Sequence, residues 1–487
     1  VPGYMLGENR RYNGIGAYTD ENGELRYYDN ETDNYRQDHY QLHFSHELSH
    51  DLWFNSTLHY TYGRGYYEQY KEDEYLPDYQ LPAINLPDTT ITNTDLIRQK
   101  WLDNHFYGAV FSLNLRKMKY ELTFGGGANQ YVGDHFGEVI WARYASVSEI
   151  RYQWYDNQGN KIDYNAYAKL NYRINDKLNL YSDLQFRGIN YSINGIDDDL
   201  RTITQEHDFL FFNPKAGINY RPRDNQRMYF SLAVAKREPN RTNFVDADPN
   251  QPLPVHETLY DYELGYELKG NNAQGIINFY YMTYDDQLVL TGEINDVGSP
   301  VMTNVEDSYR LGVELSVGYR FTRNFEWEGN VALSRNRILN LKSYVDNWDY
   351  WEDPENEPAQ IVEELGDTEI AFSPSVVASS VFTFKPIREL NISLQSKYVG
   401  EQYIDNTESD ERKLDPWFVN DLIINYRFNV SWARDFNVNF MLMNFTDHKY
   451  ESNAWVYRYY YEGEEQVMNG FYPQAGIHFT AGIKLGF

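Results

Sequence analysis

His39, His43 and His46 crowd one short stretch, and histidine is a common metal ligand. On an extended chain His39 and His43 share a face roughly 13 Å apart, too far for one ion, while His46 points the other way. They read as polar lining, and no metal or cofactor is expected. Cysteine is absent, which removes disulfide frameworks, thiolate metal sites and thiol nucleophiles. There is no Gly-x-Ser-x-Gly elbow. Gly125, Gly126 and Gly127 lack the strand–loop–helix setting of a phosphate loop. With 72 acidic residues, chance pairs of carboxylates are abundant, so none is nominated as a catalytic pair. The chain is expected not to be an enzyme. More informative are arginines and aromatics at the edges of long polar stretches: Arg64, Tyr66 and Tyr67; Arg151 and Trp154; Arg237 and Arg241; Trp348 and Trp351. Guanidinium forks suit carboxylate- or phosphate-bearing ligands, and aromatic faces suit rings. The competing assignment for each is an interfacial girdle or loop packing.

The elements that position these residues are strands. From Asn165 to Ile174, Ala166, Ala168, Leu170, Tyr172 and Ile174 fall on one face, and Asn165, Tyr167, Lys169, Asn171 and Arg173 on the other. After a turn at 175–177, Leu178, Leu180, Leu184 and Phe186 alternate with polar residues. The segment from Ile477 to Phe487 repeats the pattern. Leu180, Leu184 and Phe479 are therefore expected on a lipid-facing side, and Asp183, Arg187 and Lys484 on an inner side.

A two-sheet sandwich also alternates. Connection lengths favour another architecture. Short turns near 48–51, 116–118, 175–177, 221–225, 269–273, 321–324, 385–389 and 429–435 alternate strictly with long polar connections. The latter cover about 72–100, 133–160, 193–207, 239–255, 291–302, 341–367, 403–413 and 448–472. Short turns on one side and long loops on the other mark an outer-membrane barrel. Composition agrees: aromatics make up 17% of a chain whose mean hydropathy is -0.70. Tyr and Trp, apolar in body and polar at the tip, suit membrane interfaces. No stretch approaches the ~18–20 apolar residues of a transmembrane helix. A net charge of -29 argues against a nucleic-acid partner. The fold class is therefore all-β, a transmembrane antiparallel β-barrel of about 17 strands. Residues 33–487 form the barrel part, and residues 1–32 read as a segment of an extracellular loop. An odd strand count does not close the usual even-numbered barrel.

Several segments, in order, resemble TonB-dependent receptors of the Bacteroidetes type. Glu257–Tyr266 (ETLYDYELGY) is similar to the family's E…YELG segment. Tyr-rich Asn278–Tyr284 and the Gly-Val-Glu strand within Asn304–Leu315 follow it. Arg237-Glu238-Pro239 resembles the family's Arg-x-Pro. Phe440–Tyr450 resembles its N-L-F-D-K-x-Y segment, with Thr446 and His448 as departures. Terminal Phe487 resembles the signal read by the barrel-assembly machinery. The resemblance implies a 22-stranded outer-membrane barrel with a plug inside, driven by TonB–ExbB–ExbD through an N-terminal box. Plug, box and about five strands are expected to precede Val1, lost or on a separate polypeptide. Lipopolysaccharide, outer-membrane lipid and a surface lipoprotein are further partners implied. Many members import ferric siderophores, so energy-coupled siderophore import is the first expectation. Vitamin B12, haem or glycan import comes next, then a passive channel or adhesion barrel. The Asn-Pro-Asn-Leu element of haem receptors does not follow Pro239, which lowers haem.

Overall fold

The computed structural model describes all residues except 21, 147–148, 249–250, 296–297, 429–434 and 487. Phe487 and the turn expected at 429–435, up to residue 434, thus lie outside the described residues. Among the described residues strands make up 72% and helices 3%. It divides into a larger unit (1–12, 173–181 and 215–487) and a smaller one (13–172 and 182–214).

In the smaller unit β1 (Asp33–Ser49), β2 (Leu52–Tyr75), β3 (Asn93–Arg116), β4 (Tyr120–Ala142) and β5 (Tyr152–Arg173) pair antiparallel in chain order. Tight turns link β1 to β2 and β3 to β4, where Arg116 donates its N–H to Asp51 O at 2.9 Å. Gly125–Gly127 sit inside β4, and a Cβ on Gly125 would meet the Tyr167 hydroxyl. β2 and β3 each run 24 residues. A barrel strand needs only about 9–11 residues to cross a bilayer, so the far halves of such strands stand clear of hydrocarbon. There the 76–92 connection folds back, and Leu76, Tyr79 and Leu81 pack with Leu96, Val139, Trp154 and Tyr155 in a small core.

β6 (Leu178–Gly195) and β7 (Gln205–Arg223) each contribute residues to both units. In the larger unit β7, β8 (Gln226–Arg237), β9 (Glu257–Lys269), β10 (Ala273–Ile294), β11 (Pro300–Thr322) and β12 (Phe325–Asn347) pair in sequence. Their register lines up Ile218, Phe230, Leu264, Phe279, Val313 and Leu333 as one apolar row. Most of that row is exposed, Leu264 at 53%. The next row, one residue over, is Gly217, Ser231, Glu263, Tyr280, Gly312 and Ser334. A one-residue step exchanges faces because the strand period is two. Tyr280 lies across Gly312: a Cβ there would clash with the tyrosine hydroxyl.

Beyond β12 the pairing is interrupted. β13 (Gln360–Glu369) and β14 (Val376–Ile387) both pair with β12, β13 at its outer end and β14 at its turn end. Between them the chain leaves the sheet at Phe372, whose φ is 51°. β15 (Leu390–Val399), β16 (Trp417–Phe428) and β17 (Asp435–Met443) continue the sheet. The connection expected at 448–472 is instead a hairpin of β18 (Glu451–Tyr461) and β19 (Glu464–Pro473). Aromatic and β-branched residues favour strand there, and Glu462 and Gly463, at φ 53° and 73°, supply the left-handed turn a two-residue hairpin needs. β20 (His478–Gly486) pairs with β17.

Candidate functional site

The residues nominated at strand ends fall into two sets, one in each unit. In the smaller unit Arg64 and Tyr66 share a face of β2, and Tyr67 takes the other. Tyr66, Trp101 and Phe136 stand in register across β2, β3 and β4. The Tyr66 and Trp101 rings are 4.4 Å apart, and Trp101 stacks on Phe136 at 5.9 Å. The Arg64 guanidinium lies 5.0 Å over Trp101 and 3.3 Å from Asp103. This face continues the exposed Leu58 and Tyr60, so the row has the make-up of an interfacial girdle. Tyr67 faces Lys100, which pairs with Asp198.

Arg151 sits at φ 65° with its guanidinium 2.8 Å from Glu138. Trp154 is 1% exposed. Its Nε1 donates to the Asp198 carbonyl at 3.2 Å, and its ring packs on Tyr79 and Tyr155. In this structure Trp154 is a packing group that holds the outer loops together. His39 and His43 each meet a cross-strand hydroxyl, Thr61 and Thr57, at 3.0 Å. Among the described residues no group of three or more His, Asp or Glu is placed to hold a metal ion.

In the larger unit Arg237 pairs with Glu257 at 3.0 Å across β8 and β9. Arg241 opens a one-turn helix, Arg241–Val245, whose Asn240 and Asn243 cap each other reciprocally at 2.9 Å. Trp348 and Trp351 bound a single 3-10 turn after β12. Trp348 stacks on Tyr459 of the hairpin at 3.9 Å, and its Nε1 donates to the Tyr457 hydroxyl at 3.2 Å. That hydroxyl donates to Asp346 at 2.8 Å. Asp349 accepts the backbone N–H groups of Glu462 and Gly463 at 2.7 and 2.9 Å, fixing the hairpin tip. Trp351 is 79% exposed.

Around this stack lie ionic groups that no local sequence pattern marks. Arg458, with its side chain 10% exposed, sits between Glu363 at 2.8 Å and Glu465 at 2.5 Å. Arg412 meets Asp405 at 2.7 Å and Glu465 at 3.5 Å. Gln360 donates to Asp248 at 2.5 Å and to Asp346 at 3.1 Å. Glu293 stands at the outer end of β10, well beyond the roughly 9–11 residues that cross a bilayer. Burial, with Asp346 and Asp248 nearby, pushes its carboxyl up to about 7. The usable signal is the Trp-Val-Tyr-Arg-Tyr alternation from Trp455, which predicts a strand inside the long connection expected at 448–472.

On the polar face of the same unit lies a recess of about 380 Å³ lined by Glu263, Asn278, Tyr280, Met282, Arg310 and Glu314, among others. Arg310 donates to Ser373 Oγ at 3.0 Å, tying the wall to the segment that bulges out after β13. In the smaller unit the polar face carries Arg187–Asp163 at 2.5 Å and Lys169–Asp183 at 3.6 Å, while Leu184 and Phe186 are exposed on the other.

Residues 2–445 match the family model described as TonB dependent receptor-like, beta-barrel. The catecholate siderophore receptor Fiu of Escherichia coli strain UTI89 is 22% identical over 278 residues, 55% of this chain and 32% of that receptor. The chain thus spans about a third of the length of that curated relative. Among solved structures, the copper transporter OprC aligns with TM-score 0.69 at 14% identity, over 93% of this chain and 65% of that one. The siderophore receptor PiuA from Acinetobacter baumannii aligns with TM-score 0.62 at 14% identity, over 91% of this chain and 65% of that one. At these identities the structures show the shared fold.

Proposed function

The chain belongs to the TonB-dependent receptor β-barrel family, and on that premise we propose that it is the barrel portion of a receptor importing ferric siderophores by energy-coupled transport. It is a transmembrane antiparallel β-barrel protein of the bacterial outer membrane. The observation that carries the proposal is the family match across nearly the whole chain, residues 2–445. The siderophore receptors among its relatives support the choice of cargo. In this reading the outer loops capture the chelate and the polar face, with its recess at Glu263 and Arg310, lines the path. A plug domain and the remaining strands of a 22-stranded barrel lie outside these 487 residues. The partial coverage of the relatives supports that division. Residues 1–32 belong to an extracellular loop; Val1 donates to the Phe471 carbonyl at 2.8 Å in the outer hairpin. Plug remodelling by TonB–ExbB–ExbD would open the path, and no bond in the cargo need be broken.

The test is iron-limited growth of the native host with a ferric chelate as sole iron source. Deleting the gene should abolish growth on the cognate chelate, and deleting TonB should do the same. Growth that survives loss of TonB would refute energy coupling. Denaturing mass spectrometry of the detergent-purified receptor should reveal plug sequence, on this polypeptide or on a second one.

A further inference from the structure

Several cations in the outer loops of the larger unit are already paired. Arg458 and Arg412 are nearly buried, and Glu465 bridges them while Glu363 and Asp405 complete the pairing. Arg337 pairs with Glu408 at 2.9 Å, and Lys413 with Glu401 at 3.2 Å and Asp410 at 2.9 Å. An anionic ligand taking Arg412 or Arg458 would have to strip away their carboxylates, leaving the nearly buried Asp405 or the partly buried Glu363 uncompensated. Between Leu341 and Glu369 the only basic residue is Lys342, set against Asp346, Asp349, Glu352, Asp353, Glu355 and Glu357 among others. Trp348, 39% exposed, and the more open Trp351 present aromatic faces within this field. Aromatic faces bordered by carboxylates attract cations by ring quadrupole and by Coulomb attraction.

We propose that the surface formed by residues 346–358 and the tip of the 451–473 hairpin docks a small ligand carrying positive charge, with the Trp348 and Trp351 faces as its contact. Resting on the siderophore reading above, this makes the cargo a cationic iron(III) chelate and disfavours the strongly anionic iron(III) tris-catecholates.

Two measurements on native receptor purified in detergent separate the two claims. The first is collisional quenching of the tryptophan signal lost in the Trp348→Phe/Trp351→Phe variant, by caesium and by iodide at low ionic strength. Each is normalised to free N-acetyltryptophanamide. Caesium should quench at least about threefold better than iodide, a ratio that falls toward one in high salt. Equal quenching, or a preference for iodide, overturns the proposal whatever the cargo. The second uses one ferric trihydroxamate core with its pendant amine free, acetylated or succinylated. Affinity should fall in that order, by about tenfold from first to last, and Asp353→Asn/Glu355→Gln should flatten the series. Equal or tighter binding of the succinylated chelate overturns the charge proposal and leaves the siderophore reading standing. Binding of none of the three counts against the cationic-chelate cargo, and the quenching result then decides the docking surface alone.

Discussion

Replacing Leu264 with arginine tests the assignment of faces where it is sharpest. Leu264 stands between Phe230 and Phe279 in the exposed apolar row, and its chain neighbour Glu263 lines the polar recess. A rise of about 3.4 Å per residue and a strand tilt of about 40° place it roughly 15 Å above the turn that begins at Gly270. That is near the middle of an apolar band about 25 Å tall, where an arginine facing lipid costs about 2–4 kcal/mol. Leu268, on the same face close to the turn, should cost only about 0–1 kcal/mol on the same substitution, because interfacial depth lets the guanidinium reach water. Glu263→Leu should cost less than about 1 kcal/mol, since a polar inner wall does not need that carboxylate to exclude lipid. The assay is reversible denaturant unfolding of the receptor in lipid vesicles, followed by tryptophan fluorescence. If Glu263→Leu proved worse than Leu264→Arg, the faces would be inverted and the lumen placed on the wrong side. Equal costs at Leu264 and Leu268 would refute the depth argument.

Gly312→Ala should destabilise by about 1–3 kcal/mol, because its Cβ would meet the Tyr280 ring, whereas Gly275→Ala, with nothing nearer than 3.6 Å, should be neutral in the same assay. Trp154→Ala should cost about 3–5 kcal/mol locally; limited proteolysis should then cut the 76–92 connection while the strand core stays protected. Glu293 binds its proton more tightly in the folded protein, up to about 7, than in the unfolded chain. The folded state therefore holds more protons across that interval, and the stability of the outer loops should fall as pH rises from about 4.5 to 7, by about 3 kcal/mol at most, and stay level above it. Hydrogen exchange of the 289–294 amides should report that fall, and Glu293→Gln should remove it; exchange independent of pH after correction for the intrinsic rate would show that Glu293 is not buried as described.

Local chemistry made most of the fold legible. The period-2 alternation from Asn165 to Ile174 assigns faces because side-chain direction along a strand depends only on neighbouring residues. The sites of most tight turns were readable for the same reason. Alternation also separates Tyr67 from Arg64 and Tyr66, although the three were nominated together. The hairpin at 451–473 was legible in principle, in the strand-forming residues from Trp455 to Tyr461. The occupancy of the candidate site was not. Trp154 was nominated for ligands, and its burial depends on Tyr79 and Leu96, which reach it only when the 76–92 connection folds back. Trp348 meets Tyr457 across 109 residues, and Arg458 meets Glu363 across 95. Such pairings are set by which loops the strands bring side by side. Composition could say that this chain carries far more carboxylate than cation, because that is a sum over residues. Only the tertiary structure decided that Arg412 and Arg458 are already held by carboxylates, because an ion pair depends on a distance that no local pattern encodes.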